Sequence, residues 1–200
     1  TSGWVASSFF TGYCTPAPSS VDGQGITNVS FDTVNNTTGA EPGNYGDYSA
    51  LVGNVAQSTT AAVDITLSTG YTYGTKIWID WNDDLDFDDA GEEVYFALAP
   101  ATNPTTLNAT FPVPTTAAVG QYRMRIGGSD NNIGVSSCYT GSWASFEDYT
   151  INVIAPPPGK IAIALPITWD DTANVNYSTI DFGGMVSMLT VDPMNATNNV

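Results

Sequence analysis

Residues 80–93 constrain the fold of this chain more than any other segment. They hold eight of the twenty acidic residues within fourteen positions, and oxygen-bearing side chains occupy every second position from Asp80 to Asp88. Neighbouring carboxylates repel each other by roughly 1 kcal/mol per pair in water, and by more when they are partly buried. Ca²⁺ binds about six to eight such oxygens. The segment is therefore predicted to be a calcium loop, with a solvated acidic hairpin tip as the alternative.

The spacing of these acids resembles the first half of an EF-hand loop, in which alternate side chains bind the ion. Leu85 stands where a turn with positive φ normally requires Gly, and Gly91 stands where the bidentate Glu normally lies, one place before Glu92. Residues 76–79 and 93–98 have strand-forming sequences, so the loop is expected to join strands rather than helices. The predicted Ca²⁺ ligands of the loop are Asp80, Asn82, Asp84, Asp86, Asp88 and Glu92.

The charge balance and the missing histidine exclude several functions. Four basic residues face twenty acidic ones, a formal net charge of −16 at pH 7, which argues against binding nucleic acid. No apolar run of about 18 residues predicts membrane insertion. Without histidine, Ser-His-Asp and Cys-His catalysis and His-ligated zinc are impossible. Two acids alone can hydrolyse glycosides, but no such pair stands out, and the chain is expected not to be an enzyme.

The two cysteines, Cys14 and Cys138, agree with an extracellular calcium protein. Ca²⁺ is abundant outside cells, so a site of moderate affinity stays filled mainly there. In an oxidising compartment a disulfide between the two cysteines would stabilise the fold by about 4–5 kcal/mol on the chain-entropy model. A disulfide is therefore predicted, with two free buried thiols as the alternative.

Alternating polar and apolar residues predict strands along most of the chain, as at 60–67, 106–111 and 120–126. Lys, Glu and Arg, the usual helix formers, are scarce. The predicted fold is all-β: an antiparallel β-sandwich of jelly-roll or Ig-like type over residues 11–154, ending in a strand at 149–154. A proline-rich linker is predicted at 155–159.

Two segments flank the predicted sandwich. Residues 1–10 carry three large aromatic side chains and are predicted to be an extension, a candidate donor strand. Residues 160–200 are predicted to form additional β-strands, belonging either to a partial second domain or to a strand-exchange element, because about forty residues cannot bury an independent core. The expected partners are further copies of the chain or neighbouring domains that add a strand.

Several short motifs occur in the order seen in the bacterial GEVED domain, and together they cover roughly residues 10–154. They are Tyr13-Cys14-Thr15-Pro16, Asn44-Tyr45-Gly46-Asp47-Tyr48, the strand and loop at 76–87, Gly120-Gln121-Tyr122-Arg123-Met124-Arg125, Cys138 and Ser145-Phe146-Glu147-Asp148-Tyr149. The first Gly and Glu of the family's name motif are replaced here. The resemblance implies a secreted β-sandwich module of Bacteroidota-type surface proteins, often exported by type IX secretion, without catalytic activity of its own. Residues 160–200 resemble the start of a lectin-like unit.

Asp47 and Asp148 each precede a Tyr at or near the start of a strand. A carboxylate in this position can reach across the end of the sandwich, so both are predicted to complete the calcium shell; acceptance of turn hydrogen bonds is the alternative. Arg123 and Arg125 fall on one face of a strand and are either counter-charges for the acidic end or structural side chains that lie over the sheet.

Two functions from different classes remain open. The first is a calcium-stabilised extracellular structural or adhesive module, such as a subunit of a surface filament or a large adhesin. The second is a glycan-binding accessory module of a secreted enzyme, with exposed Trp4, Trp143 and Trp169 stacking on sugars. Asp-Thr-apolar motifs resemble the O-glycosylation sites of Bacteroidota and predict glycans at Thr33 and Thr172.

Overall fold

A computed structural model of the chain describes residues 12–156, which form nine strands in two sheets. The predictions for residues 1–10 and 160–200, including Trp4, Trp169 and Thr172, and for most of the linker at 155–159, lie outside the described residues. The strands are β1 (Gly25–Phe31), β2 (Val34–Thr37), β3 (Tyr45–Ala56), β4 (Thr60–Ser68), β5 (Tyr73–Ile79), β6 (Glu93–Ala99), β7 (Thr105–Pro112), β8 (Gly120–Asp130) and β9 (Ala144–Ile154).

The predicted all-β sandwich is confirmed. One sheet has the strand order β2-β1-β4-β7 and the other β3-β9-β8-β5-β6. All neighbouring strands are antiparallel except β3 and β9, which run parallel. A short 3-10 turn at Pro42–Asn44 precedes β3. Within residues 12–156 no helix is long and apolar enough to cross a membrane.

The main core lies between the two sheets. Strand β4 shows the alternation that predicted it, with Val63, Ile65 and Leu67 buried and their neighbours more exposed. The inward side chains of the other sheet include Met124 and Ile126 of β8. Burying each large aliphatic side chain contributes about 1.5–3 kcal/mol. The other face of the five-stranded sheet points away from this core.

The last strand begins at Ala144, five residues before the predicted start at 149. Residues 144–148 are buried on both faces of the strand, so they show no alternation of polar and apolar residues. Phe146 and Asp148 lie under a covering segment on the outer side, whereas Glu147 and Tyr149 point between the sheets. The early start of β9 places two adjacent acids on opposite faces.

A second, smaller core covers the outer face of the five-stranded sheet. It consists of Trp78, Phe87, Val135, Ala144 and Phe146, with Tyr13, Tyr45 and Tyr139 packed against it. Two covering segments, residues 12–20 and 131–143, pair through backbone hydrogen bonds, such as Ala17 N to Tyr139 O at 3.0 Å. The predicted disulfide between Cys14 and Cys138 is confirmed and joins the two segments.

Candidate metal site

The acidic loop at residues 80–92 leaves the end of β5 and returns to β6. The amide of Ile79 donates to the carbonyl of Glu92 at 2.8 Å, which closes the base of the loop. The amide of Asp80 donates to the carbonyl of Arg123 at 3.1 Å, which fixes the loop to β8. The loop therefore joins two strands, as the sequence predicted, and both of its ends are held by the sheet.

Asp80 organises the first turn of the loop from a fully buried position. Its Oδ1 accepts hydrogen bonds from the amides of Asp83 at 2.7 Å and Asp84 at 3.3 Å. Its Oδ2 accepts from the amide of Leu85 at 3.0 Å and from the hydroxyl of Tyr13 at 2.7 Å. Hydrogen bonds to a carboxylate are among the stronger ones in proteins, so this residue holds the backbone of the turn in place.

The alternate acids also fold the loop. The side-chain oxygens of Asn82, Asp84 and Asp86 each accept a hydrogen bond from the amide two residues later, at 3.2, 3.3 and 2.9 Å. Such Asx turns replace backbone hydrogen bonds where the chain changes direction. The oxygen-bearing side chains at every second position, which predicted ion binding, therefore also stabilise the turns of the loop.

Leu85 adopts a left-handed conformation, with φ of 74°. The sequence marked this position as one where Gly is normal, and the backbone has the conformation of that Gly despite the larger side chain. A residue with a Cβ pays roughly 1–2 kcal/mol for it. The hydrogen bond from the Leu85 amide to Asp80 offsets part of that cost.

Three of the predicted ligands converge. The ligand oxygens of Asp80, Asp84 and Glu92 all lie within 4.8 Å of one another. Asp80 and Glu92 are buried and Asp84 is exposed, so the group opens to solvent on one side. None of the ion pairs formed within residues 12–156 involves these three acids. The group is a concentration of negative charge that the described part of the protein does not balance.

Glu92 shows the effect of this environment. Its Oε1 accepts from the amide of Trp81 and its Oε2 from the amide of Asp89, both at 3.2 Å. Burial is the largest cause that raises the pKa of Glu92, to about 7, and the nearby carboxylates of Asp80 and Asp84 raise it further. A cation in the group would favour the charged carboxylate and bring this pKa down.

Asn82 lies beside the group, and Asp86 and Asp88 lie outside it. The Nδ2 of Asn82 donates to Asp84 at 2.9 Å and to Asp89 at 2.6 Å, so its amide bridges two carboxylates. Asp86 and Asp88 are exposed and are not among the three converging acids. Asp89, which the sequence reading did not name as a ligand, is instead brought to the edge of the group by Asn82.

Asp47 and Asp148 pair with arginines instead. The fully buried Asp148 accepts from Nε and Nη2 of Arg125 at 2.7 and 2.8 Å, from Arg123 at 3.2 Å and from the Tyr45 hydroxyl at 3.0 Å. The exposed Asp47 lies 3.5 Å from Nη1 of Arg123. The prediction that these two aspartates complete the metal shell has no support from these contacts, because arginines already balance their charge.

Arg125 is the residue whose importance the sequence reading underestimated. It is fully buried, and besides Asp148 it donates to the carbonyl of Ser137 at 2.9 Å. Its guanidinium lies 4.9 Å from the centre of the Phe87 ring and 5.7 Å from that of Tyr45, within cation–π range. Arg125 thereby connects the acidic loop to the covering segment. The sequence does place both arginines on one face of a strand, which indicated that they act together.

Glu147 was not identified as an unusual acid. It points between the sheets and accepts from the hydroxyls of Thr38 and Tyr149, both at 2.7 Å. Burial is the main cause that raises the pKa of Glu147, to about 8, and the nearby Glu41 carboxyl raises it further. The raised pKa favours the neutral carboxyl form of Glu147 at neutral pH. Reading the sequence alone could not show it, because the strand's burial on both faces hides which acid faces inward.

Two further predicted positions lie on the surface. Thr33, the candidate glycosylation site, occupies the exposed turn between β1 and β2. Trp143, a candidate sugar-binding residue, is 50% exposed and lies just before β9. Neither belongs to the acidic group or to the two cores described above.

These features define a disulfide-linked β-sandwich domain with an acidic loop between two strands of one sheet. Residues 74–152 match the family model of the GEVED domain, the family that the motifs resemble. The match includes the acidic loop, both arginines and the two adjacent acids of β9. No curated protein matches the chain.

Two solved structures show a distant likeness. One is a family 123 glycoside hydrolase from Clostridium perfringens, 11% identical over 60% of this chain, with a TM-score of 0.28; the chain spans only 24% of that protein. The other is the seventh ScaB type I cohesin from Pseudobacteroides cellulosolvens, 13% identical over 60% of this chain and 97% of the cohesin, with a TM-score of 0.26.

Proposed function

We propose that this chain is a non-catalytic structural module of an extracellular protein at a bacterial cell surface, stabilised by Ca²⁺ bound at Asp80, Asp84 and Glu92. The observation that carries the proposal is the convergence of three carboxylates, two of them buried, without a basic partner. Burying like charges together is costly unless a cation balances them. Asn82, Asp89 and water would supply the remaining oxygens that Ca²⁺ requires.

The donor set favours Ca²⁺ over other metals. All candidate ligands offer oxygen, whereas Zn²⁺ sites in proteins usually contain Cys or His. Mg²⁺ requires a near-octahedral shell and tends to keep several waters, so a loop that offers many carboxylates suits the larger ion better. The disulfide supports an oxidising compartment, in which Ca²⁺ is also abundant.

Thermal unfolding with excess Ca²⁺, with excess Mg²⁺ and with EDTA tests the proposal. At about one hundred times its dissociation constant, a bound ion adds about 2.7 kcal/mol of stability, and we expect the melting temperature to rise by several degrees in Ca²⁺. Asp84→Asn should abolish this rise, whereas Asp86→Asn, a change in the same loop outside the group, should retain it. Equal melting temperatures in Ca²⁺ and EDTA would refute the proposal.

The structural or adhesive role includes association through a strand edge. Strand β6 is an edge strand of the five-stranded sheet, and its Phe96 and Leu98 side chains are 42% and 46% exposed. Such an edge can accept a strand from a neighbouring subunit or domain. We expect concentration-dependent association in sedimentation experiments that Phe96→Lys weakens. Tyr71→Lys, at an exposed aromatic outside the strands, is the matched control.

Glycan binding is the second candidate, supported by the exposed Trp143 side chain. Stacking of a sugar on this indole would be saturable and would occur on a monomer. A glycan array probed with the wild-type chain and with Trp143→Ala separates the two candidates. Binding that is lost in the variant favours the accessory module, whereas association without glycan binding favours the structural one.

A further inference from the structure

Tyr13 connects the covering segment to the acidic loop through two contacts, and a third contact reaches β8. Its hydroxyl donates to Oδ2 of Asp80 at 2.7 Å, the same oxygen that accepts the amide of Leu85. Its ring stacks on Phe87 of the loop, with ring centres 5.2 Å apart. The guanidinium of Arg123 lies 5.0 Å from the centre of the same ring. One side chain thus contacts the loop at its first turn and at its buried aromatic anchor.

The disulfide fixes the residue next to Tyr13. Cys14 is the next residue, and its partner Cys138 lies on the opposite covering segment. Within the described residues, the first backbone hydrogen bond between the two segments occurs at Ala17. If the disulfide were open, the first link from this segment to the second covering segment would be the hydrogen bond at Ala17, so residues 12–16 would have no link of their own to it. Placing Tyr13 against the loop would then cost more conformational entropy.

We propose that Tyr13 is a positioning residue for the acidic loop, and that the Cys14–Cys138 disulfide controls the order of the loop through it. Oxidation holds Tyr13 against Asp80 and Phe87, and reduction releases it. The loop then loses one hydrogen bond to its buried carboxylate and one aromatic contact. The proposal concerns the loop with or without a bound ion, so it stands apart from the proposed calcium site.

The redox step requires an external dithiol such as dithiothreitol. Its two thiols supply two electrons and two protons; the bond between the cysteine sulfurs breaks, Cys14 and Cys138 become thiols, and the dithiol becomes a cyclic disulfide. Cys138 is exposed and Cys14 is partly buried, so a small dithiol can reach the bond.

Hydrogen exchange of the loop amides in EDTA tests the proposal. The amides of Asp83 and Leu85 report directly on the turn, because both donate to Asp80. Tyr13→Phe keeps the ring and removes only the hydroxyl. We expect protection at Leu85 to fall about tenfold in this variant, the size expected for a hydrogen bond to a charged group. The paired variant Cys14→Ser with Cys138→Ser, and the reduced wild type, should lose protection at the same amides.

A double-mutant cycle separates positioning from a general structural effect. In the oxidised protein Tyr13→Phe should lower the protection of the loop amides. In the cysteine-free protein the same change should alter that protection less than about twofold, because Tyr13 is already released. The matched control is Tyr139→Phe. Its hydroxyl donates to the carbonyl of Ser142, and its ring packs in the same outer cluster without contacting Asp80.

Amides of β4 and β8 serve as the internal reference for global unfolding. In the oxidised protein, a loss of protection on Tyr13→Phe that is confined to the loop, with the coupling described, supports the proposal. Equal loss on Tyr13→Phe at the loop and at the reference strands would overturn it, because the side chain would then act on the whole fold. Equal effects of Tyr13→Phe with and without the cysteines would overturn it as well. A calcium titration of the same proteins tests the calcium site separately. If no binding were found in that titration, only the calcium site would be refuted.

Discussion

Two adjacent acids of β9, Glu147 and Asp148, are both fully buried, yet they lie on opposite faces of the sheet in different chemical surroundings. Asp148 faces outward and forms a two-point ion pair with Arg125. Glu147 faces inward among hydroxyl groups, and burial raises its pKa to about 8, which favours its neutral form at neutral pH. A buried carboxyl can therefore be balanced by a partner residue or by a proton, and the face of the strand decides which.

The acidic loop is a third case. Asp80 and Glu92 are also buried, but the arginines nearby are already engaged by Asp148 and Asp47. Their balancing charge must come from a proton or from a cation supplied by the solution, because the described part of the chain forms no ion pair with them.

Removing Asp148 should have the largest effect. Asp148→Ala leaves the guanidinium of Arg125 buried without its main partner, and we expect a loss of about 3–5 kcal/mol in the free energy of unfolding. Urea denaturation measures this loss. The double variant Asp148→Leu with Arg125→Met removes both charges and should recover much of it. A loss below about 1 kcal/mol in the single variant would show that the pair does not hold the outer face together.

Glu147 should make stability depend on pH in the direction opposite to that of an ordinary salt-bridged acid. Its folded-state pKa, about 8, lies above the usual 4.5, so between these values the folded chain binds more protons than the unfolded one. Stability should therefore fall as pH rises from about 4.5 to 8. Glu147→Gln, which resembles the protonated acid, should become more stable than wild type by roughly 2–4 kcal/mol at pH 9.

The matched control for this prediction is Glu93→Gln, an exposed acid that pairs with the partly exposed Lys76. It should change the pH profile little, because surface ion pairs contribute less than about 1 kcal/mol. The profile is measured by urea denaturation at pH 5, 7 and 9. If the Glu147→Gln variant followed the wild-type profile, the inward acid would not be held protonated by the fold.

The effect of Glu92→Gln on stability should have opposite signs without and with calcium. In EDTA at pH 8 the variant removes a buried charge from a repelling group, and we expect it to be more stable than wild type by about 1–2 kcal/mol. In excess Ca²⁺ it removes a ligand and should be less stable. Chemical denaturation under both conditions measures the reversal. The same sign in both would contradict a cation at this group, whereas Asp148→Ala should be destabilising in both.

Most of the fold followed from the sequence because its signals are local. Alternation of polar and apolar residues placed the strands, and the two cysteines predicted the bond that closes the outer face. The parallel pairing of β3 with β9 was not visible, because no local pattern records which distant strand lies alongside. The early start of β9 was missed because a strand buried on both faces has no alternation to read.

The candidate site was predicted in part for a related reason. The loop's alternating acids pointed to Asp80, Asp84 and Glu92, which do converge. Asp47 and Asp148 were expected in the same shell, but their strands place them across from the arginines. Which acid meets which cation depends on strand register, and register is set by pairing between segments far apart in the chain.

Leu85 yields the smallest expected effect and separates two contributions to the loop. Its backbone is left-handed, with φ of 74°, and Leu85→Gly would relieve about 1–2 kcal/mol of strain. Gly also gains about 0.5–1 kcal/mol of freedom in the unfolded chain, so we expect a net stabilisation of only about 0.5 kcal/mol. Leu85→Val should instead destabilise, because a β-branched residue tolerates this conformation poorly. If the Gly and Val variants had the same stability, the hydrogen bonds to Asp80 alone would set the shape of the loop. The difference between this loop and the arginine-paired acids would then rest on charge and not on backbone conformation.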